Sequence, residues 1–157
     1  MLQFIIKIVN QPEIHIAGLH VRTDMQNASN DCPKLWHDDF GPRMTEIAPC
    51  GSSESYGVSW LAEPALCTFD YWAAMPLAQN KPAPAGMEKA TLPAGIYAQC
   101  EVDGLENLPA AYQYIYTNWL PSQNKYTYSA NLPSYELYPA DYMQTKKIFL
   151  YFALIEK

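Results

Sequence analysis

An internal repeat is the feature that most constrains what this chain can fold into. Gly18 and Gly95 lie 77 residues apart, and each follows an alanine and begins a strand-like alternation of side chains. Pro33 and Pro109 lie 76 residues apart, and each stands near the start of a helix-like pattern. Similar pieces in the same order at a nearly constant offset predict that one structural unit is used twice.

Each half is expected to contain one amphipathic helix. A proline in the first turn fits this interpretation, because its missing N–H would have no partner inside the helix there. Asn and Asp are preferred N-cap residues, so we expect the first helix to begin at Asn30 or Asp31 and the second at Asn107. Apolar residues then recur at spacings of three and four, which predicts one buried stripe on each helix. These are Leu35, Trp36 and Phe40 in the first helix, and Ala111, Tyr112, Ile115, Tyr116, Trp119 and Leu120 in the second. Trp36 and Tyr112 are equivalent positions at the offset of 76.

Two strand candidates follow each helix, residues 56–61 and 68–77 in the first half and 135–138 and 147–155 in the second. The last candidate is apolar on both faces, which is typical of a central strand. We therefore predict an α+β fold in which a duplicated strand–helix–strand–strand unit forms an antiparallel sheet of about eight strands. Two helices flank a central groove. A length of 157 residues fits a single domain, residues 1–157, with pseudo-repeats of about 1–78 and 86–157 and a proline-bearing linker at 79–85.

The charge balance argues against direct nucleic-acid binding. The formal net charge is −6, and the largest basic cluster is the pair Lys146 and Lys147. Nucleic-acid binding relies on basic residues that neutralise phosphates, so this class of partner is disfavoured. An acidic surface instead favours cationic ligands.

Neither a metal site nor a cofactor is indicated. The four cysteines contain no C-x-x-C pair and the three histidines are scattered, so zinc ligation has almost no support. With only 7 glycines, no phosphate-binding loop is evident.

Free thiols suggest a cytoplasmic protein. Residues 2–9 are apolar but short and interrupted by Lys7, which indicates a first strand, not a signal peptide, and no segment is long enough to cross a membrane.

Glu136 directs the functional inference. It lies in a short aromatic strand candidate between Pro133 and Pro139. Because strand side chains alternate, Glu136 and Tyr138 share one face of that strand. One interpretation is an exposed glutamate on a sheet edge, since most glutamates are exposed. The other is a buried carboxylate, which costs several kcal/mol unless something positive compensates it and therefore suits a ligand that carries positive charge.

The seam between two repeated units is a favoured place for a ligand, and aromatic residues from both halves are candidates to line it. Cation–π contacts contribute about 0.5–2 kcal/mol each, so several rings and one anion would hold a flat organic cation at about micromolar strength. For each aromatic residue the alternative is ordinary helix–sheet packing. The predicted ligand-binding residues are Glu136, Tyr138, Tyr56, Trp72, Tyr97, Trp36 and Trp119.

Three segments then carry a family resemblance: Leu-Pro-Ala-Gly-Ile-Tyr-Ala at 92–98, Glu-Asn-Leu-Pro-Ala-Ala-Tyr-Gln-Tyr-Ile-Tyr-Thr-Asn-Trp-Leu-Pro at 106–121, and Tyr-Glu-Leu-Tyr at 135–138. In this order and spacing they resemble the GyrI-like effector-binding family, the ligand-binding domain of some AraC-type regulators, which also occurs in stand-alone form. Residues 17–22, 35–36, 56–59 and 69–71 extend the resemblance through the first half.

The resemblance implies a duplicated α+β unit with a groove between two helices. It also implies that Glu136, in the Tyr/Phe-Glu-Leu-Tyr motif, contacts lipophilic cations. The chain departs from the family at Trp72-Ala73-Ala74, where Ala-Gly is common, and this puts the shape of the pocket in question. No helix-turn-helix segment precedes Met1, so we expect the sensor part of a bacterial transcription regulator without its DNA-binding part.

Three functions compete at this point. The first is multidrug binding of hydrophobic, planar, cationic small molecules by a stand-alone sensor or sequestering protein. The second, which some stand-alone relatives suggest, is hydrolysis of strained electrophilic natural products with Glu136 as general base; no catalytic residue is assigned, because no His–nucleophile pair is evident. The third is inhibition of a protein partner, a regulator or a DNA gyrase, through the acidic surface.

Overall fold

The computed structural model describes residues 4–48, 54–63, 67–129 and 131–157, and an antiparallel sheet dominates these residues. The strands are β1 (Ile6–Gln11), β2 (Ile14–Asp24), β3 (Ser55–Glu63), β4 (Thr68–Pro76), β5 (Glu88–Leu92), β6 (Gly95–Asp103), β7 (Tyr126–Tyr128), β8 (Ser134–Tyr138) and β9 (Lys147–Glu156). Their order across the sheet is β1-β6-β9-β8-β3-β4-β2-β5, with β7 paired to β9. The predicted first strand corresponds to β1, although Leu2 and Gln3 lie outside the described residues.

The order of the strands has the symmetry of a duplicated unit. β3 and β8 pair at the centre, and β4 then β2 follow on one side as β9 then β6 follow on the other. This arrangement confirms the predicted duplicated strand–helix–strand–strand unit and its antiparallel sheet. The outer strands cross between halves, because β1 precedes β2 in the chain but pairs with β6, whereas β5 precedes β6 but pairs with β2.

Two helical segments lie between the strands of the two units. The first comprises α1 (Ala28–Lys34), a π-helical turn (Leu35–Phe40) and a 3₁₀ turn (Gly41–Glu46). The second comprises a 3₁₀ turn (Leu105–Asn107), α2 (Leu108–Tyr114), a π-helical turn (Ile115–Trp119) and a 3₁₀ turn (Leu120–Ser122). A short helix, α3 (Tyr142–Thr145), precedes β9.

The start of the first helix differs from the prediction. α1 begins at Ala28 with Asn27 at the N-cap position, so neither Asn30 nor Asp31 is the cap. Asp24 accounts for the earlier start, because its carboxylate accepts a hydrogen bond of 2.8 Å from the backbone N–H of Asn27 and fixes the turn before the helix. The second helix has Asn107 at the N-cap position, as predicted.

Both helical segments pack on one face of the sheet. The first covers β2 and β4 through the α1 cluster, and the second covers β6 and β9 through the α2 cluster. The buried members of the α1 cluster are Leu35, Phe40, Tyr71, Ala73, Met75 and Met87. Those of the α2 cluster are Ala98, Cys100, Val102, Leu108, Ala111, Ile115, Leu120, Ile148, Leu150, Phe152 and Leu154.

The opposite face of the sheet is also buried. Ile16 of β2 and Tyr97 of β6 come from strands far apart in the sheet order, yet they belong to one cluster, so the sheet curls around this face. The buried members of this far-face cluster are Ile16, Tyr56, Val58, Trp72, Ala74, Leu92, Tyr97, Tyr135, Tyr151 and Ala153. β9 contributes to both faces and lies between β6 and β8, as its apolar sequence predicted.

Within the part of the chain that the structure describes, no helix is both long enough and apolar enough to span a membrane. Cys32, Cys67 and Cys100 carry free thiols, and Cys50 lies outside the described residues.

Candidate functional site

Glu136 lies at the centre of the sheet, where its carboxylate is enclosed by the fold. β8 pairs with β3 on one side and β9 on the other, which sets Glu136 opposite Gly57 and Leu150. Its side chain points to the face that carries the helical segments, and the residue is only 7% exposed. The interpretation of an exposed glutamate on a sheet edge is therefore wrong, because both edges of β8 are paired.

Three tyrosine hydroxyls donate hydrogen bonds to this carboxylate. Tyr112 of α2 donates to Oε1 at 3.0 Å. Tyr138 of β8 donates to Oε2 at 2.8 Å, and Tyr71 of β4 donates to the same oxygen at 3.4 Å. Trp36, from the first helical segment, donates its Nε1–H to the Tyr71 hydroxyl at 2.9 Å. Side chains from both halves of the chain thus converge on one anion.

Burial and hydrogen bonding act in opposite directions on the carboxyl group. Burial raises the pKa of Glu136 above its ordinary value because the charged form loses its hydration, while the three phenol donors stabilise the charged form and limit the rise. Burial and the neighbouring carboxylate hold the pKa of Tyr71 and of Tyr112 well above the ordinary value, so both phenols stay protonated and donate. Among the salt bridges of the described residues, none involves Glu136.

Aromatic rings surround the carboxylate and separate it from solvent. Tyr138 makes edge-to-face contacts with Trp36 and with Tyr142, at centroid distances of 5.6 and 5.2 Å. Trp36, Tyr112 and Tyr138 are each partly exposed, whereas Glu136 beneath them is buried. The groove between the helical segments is therefore closed over the carboxylate by these side chains.

Two surface depressions among the described residues lie elsewhere. The larger, of about 450 Å³, is lined by residues of β2 and the first helical segment, including Leu19 and Asp38. The smaller, of about 240 Å³, lies on the second helical segment beside Phe4. Neither is lined by Glu136 or by a phenol that donates to it.

Four of the predicted site residues lie away from this carboxylate. Tyr56, Trp72 and Tyr97 belong to the far-face cluster, where Trp72 stacks on His20 at a centroid distance of 4.6 Å. Their neighbours in each strand point to the helices instead, so alternation places these three rings on the wrong face to meet Glu136. Trp119 packs against the α2 cluster. Of the predicted set, the structure brings together Glu136, Tyr138 and Trp36.

Two residues of the constellation were not among the predicted site residues. Tyr71 directly precedes Trp72 in β4, so their side chains point to opposite faces of the sheet. The sequence pattern did not show which of these two faces carries the helices. Tyr112 was assigned only to the buried stripe of its helix. Its equivalence to Trp36 at the repeat offset was the signal that would have identified it.

Glu136 and the aromatic side chains around it can hold a positive charge against the buried carboxylate. Alternatively, Glu136 can hold a proton, because its pKa is raised. The constellation offers no obvious nucleophile, because burial and the nearby Glu136 and Asp31 carboxylates raise the pKa of the Cys32 thiol to about 12. No three His, Cys, Asp or Glu side chains of the described residues are grouped in a way that could hold a metal ion.

Comparison with known proteins gives a family match and several structural neighbours. Residues 5–151 match the GyrI-like family model, described as a GyrI-like small molecule binding domain. The integron cassette protein VCH_CASS2 of Vibrio cholerae is similar with a TM-score of 0.68 at 14% identity, over 96% of this chain and 95% of that one. SAV2435 bound to tetraphenylphosphonium has a TM-score of 0.66 at 12% identity, over 99% and 94%.

The C-terminal domain of EcmrR is similar to the same degree, with a TM-score of 0.66 at 12% identity over 99% of this chain and 100% of that one. At these identities the structural likeness shows a shared fold alone. No curated protein sequence is significantly similar to the chain.

Proposed function

This chain belongs to the GyrI-like small molecule binding domain family, and on that premise we propose that it binds hydrophobic, planar, cationic small molecules at Glu136. The observation that carries the proposal is the carboxylate of Glu136, which is buried under aromatic rings and makes no salt bridge with a described residue. The ligand supplies the positive charge that the fold lacks at this point.

The energetic argument concerns the cost of the buried anion. Three phenol hydrogen bonds offset part of the lost hydration, but a phenol carries no net charge. A cation beside Glu136 contributes a Coulombic attraction that is strong because the surroundings exclude water. It also favours the ionised carboxylate, so binding lowers the pKa of Glu136.

The phenol hydrogen bonds also restrict the kind of cation. Both carboxylate oxygens already accept hydrogen bonds, and Oε2 accepts two, so the carboxylate has little need of a donor from the ligand. Cations whose charge is spread over an apolar body satisfy this condition, and their rings gain from the faces of Trp36 and Tyr138. Tetraphenylphosphonium, which SAV2435 binds, is a cation without an N–H group.

Ligand entry requires the two helical segments to part, because Tyr112 and Trp36 lie on opposite segments around the same anion. Each segment has a π-helical turn next to its aromatic residue, Leu35–Phe40 at Trp36 and Ile115–Trp119 just after Tyr112. Such turns are rare and occur frequently at functional sites, so they support a site between these segments.

In this proposal the chain is a cytoplasmic sensor or sequestering protein for lipophilic cations. A net charge of −6 disfavours direct binding to nucleic-acid phosphates.

The decisive experiment compares two probes of nearly the same shape. N-methylacridinium is a permanent cation, and acridine is neutral in mildly alkaline buffer. Tryptophan fluorescence titration should give about micromolar affinity for the cation and weaker affinity for acridine. Glu136→Gln keeps the shape of the side chain and removes its charge, so the cation should bind about 10- to 100-fold more weakly, equivalent to about 1–3 kcal/mol, while acridine is nearly unaffected.

Glu156→Gln is the matched control, because it removes the same charge from an exposed side chain at the end of β9. Equal affinities of Glu136→Gln and the wild-type protein for N-methylacridinium would refute the electrostatic proposal. The raised pKa of Glu136 also suits a general base, so each sample should be incubated with a strained epoxide. Turnover that Glu136→Gln abolishes would assign a hydrolase instead.

A further inference from the structure

Gly57 lies directly opposite Glu136 in the β3–β8 pair and leaves a space that the site fills. A Cβ atom on Gly57 would overlap the hydroxyl oxygen of Tyr71 and would lie 2.8 Å from Oε2 of Glu136. The Tyr71 ring extends from β4 across this position, and its own residue is only 5% exposed. The hydrogen bond from Tyr71 to Glu136 therefore passes through a volume that any other residue at position 57 would occupy.

The repeat makes Gly57 the counterpart of Glu136. Ser55 and Tyr56 correspond to Ser134 and Tyr135 at an offset of 79, and the next residue in each half is Gly57 or Glu136. These two residues are also cross-strand partners at the junction of the halves. One half thus supplies the carboxylate at this junction, and the other supplies the room for it and for a donor.

We propose that Gly57 is a positioning residue of the ligand site, because its missing side chain allows the Tyr71 hydroxyl to reach the Glu136 carboxylate that receives the cation. This inference rests on the proposed function for the role of the cation, but the contact between Tyr71 and Glu136 is testable in the protein without ligand.

The pKa of Glu136 depends on burial, which raises it, and on the tyrosine hydrogen bonds, which lower it. The titratable groups that face Glu136 are Tyr71 from β4, Tyr112 from α2, Tyr138 from its own strand and Cys32 from α1. Of these, only Tyr71 reaches it across Gly57. Loss of this donor removes a contribution that lowers the pKa of Glu136, so the carboxyl group should ionise at higher pH. Cation binding requires the ionised form and should therefore weaken at a higher pH than in the wild-type protein.

The test uses the full chain as wild type and as Gly57→Ala, Tyr71→Phe and the double variant. The midpoint of the Glu136 titration is followed by carboxyl carbon NMR in the ligand-free protein, and N-methylacridinium affinity is followed over the same pH range. We expect Gly57→Ala and Tyr71→Phe to move both midpoints upward by about half to one pH unit. The double variant should move them no further than the larger single shift.

Ser59→Ala is the control, since Ser59 lies on the same strand and the same face two residues away and should leave both midpoints unchanged. If Gly57→Ala is too unstable to titrate, the double variant should be more stable than Gly57→Ala in thermal unfolding, because it lacks the hydroxyl that the new Cβ atom overlaps most closely.

A Gly57→Ala protein that folds with the wild-type titration midpoint would overturn the inference, as would a double variant that is no more stable than Gly57→Ala alone. If the wild-type protein does not bind N-methylacridinium but the NMR midpoints shift as expected, the proposed function fails for this probe and the positioning role of Gly57 stands.

Discussion

The two oxygens of Glu136 are not equivalent, because Oε1 accepts one phenol hydrogen bond and Oε2 accepts two. Tyr112→Phe leaves Oε1 without its donor in a buried place, whereas Tyr71→Phe removes a longer bond and leaves Tyr138 on Oε2. We expect Tyr112→Phe to lower the free energy of unfolding by about 1–3 kcal/mol at neutral pH, and Tyr71→Phe to lower it less.

Urea unfolding of both variants measures this difference. Tyr114→Phe on the same helix is the control, since its hydroxyl makes no hydrogen bond with a described residue, and it should change stability little. A Tyr112→Phe protein as stable as Tyr114→Phe would show that the phenol contributes nothing to the buried anion.

The raised pKa of Glu136 gives stability a pH dependence with a defined sign. In the unfolded chain the carboxyl group ionises near its ordinary value of 4.5, but in the folded protein it ionises at higher pH. The folded state therefore holds the proton more tightly. The stability that this provides is fully present below pH 4.5 and is lost as the pH rises from there through the folded-state pKa.

We therefore expect the wild-type protein to lose stability relative to Glu136→Gln as the pH rises through this window, and the difference to become constant above it. Urea unfolding at a series of pH values provides the measurement. Glu156→Gln is the control for the loss of a negative charge as such, because this side chain is exposed at the end of β9. A trend of the opposite sign would mean that the phenols overcompensate burial and hold the folded-state pKa below its ordinary value.

The sequence pointed to Glu136 but not to all of the residues that donate hydrogen bonds to it. Alternation places Glu136 and Tyr138 on one face, and it does so regardless of the rest of the fold. It cannot decide between Tyr71 and Trp72, because both faces of β4 are buried and both carry large aromatic rings. Only the position of the helices distinguishes the faces, and that depends on contacts distant in sequence.

The helical segments carry two of the covering rings, Trp36 and Tyr112, so ligand binding should change the dynamics of these segments. With N-methylacridinium bound between Trp36 and Tyr112, the amides of the two π-helical turns should exchange hydrogen more slowly than in the free protein. Slower exchange is expected in residues 35–40 and 115–119, while exchange in the edge strand β5 should be unchanged.

Hydrogen exchange with mass spectrometry measures this for each segment, and Glu136→Gln at the same probe concentration is the reference without tight binding. Protection confined to β2 and residues 35–43, which line the larger depression, would instead place the ligand there.

Local sequence patterns predicted the elements better than their partners. Seven of the nine strands and both helical segments lie where alternation and three-to-four spacing predicted them, because those signals are local, but β5 and β7 were not predicted. The start of α1 was missed by a few residues, since the carboxylate of Asp24 organises the preceding turn. The crossing of β1 and β5 to the opposite halves leaves no local signal, because strand pairing is settled by the assembled sheet.

The whole molecule depends on contacts between its halves. The central β3–β8 pair joins them, β1 adds to the second half, and β5 adds to the first. A first fragment of residues 1–78 would leave β1 without its partner β6 and β2 without β5, and it would expose the far-face cluster that both halves build. A fragment of residues 86–157 would lose the corresponding partners. Small units that bury little apolar surface are marginally stable, so neither fragment should fold alone.

We therefore expect each fragment alone to give the poorly dispersed NMR spectrum of an unfolded chain, and an equimolar mixture to give the dispersed spectrum of the intact protein. The full chain with a protease site in residues 79–85 is the control, because this segment lies between β4 and β5 and belongs to no strand or helix. After cleavage it should remain associated and bind N-methylacridinium, since Glu136 and Tyr71 come from different fragments. A single fragment that is folded and binds the cation would mean that the site belongs to one repeat and that the duplication is not needed for it.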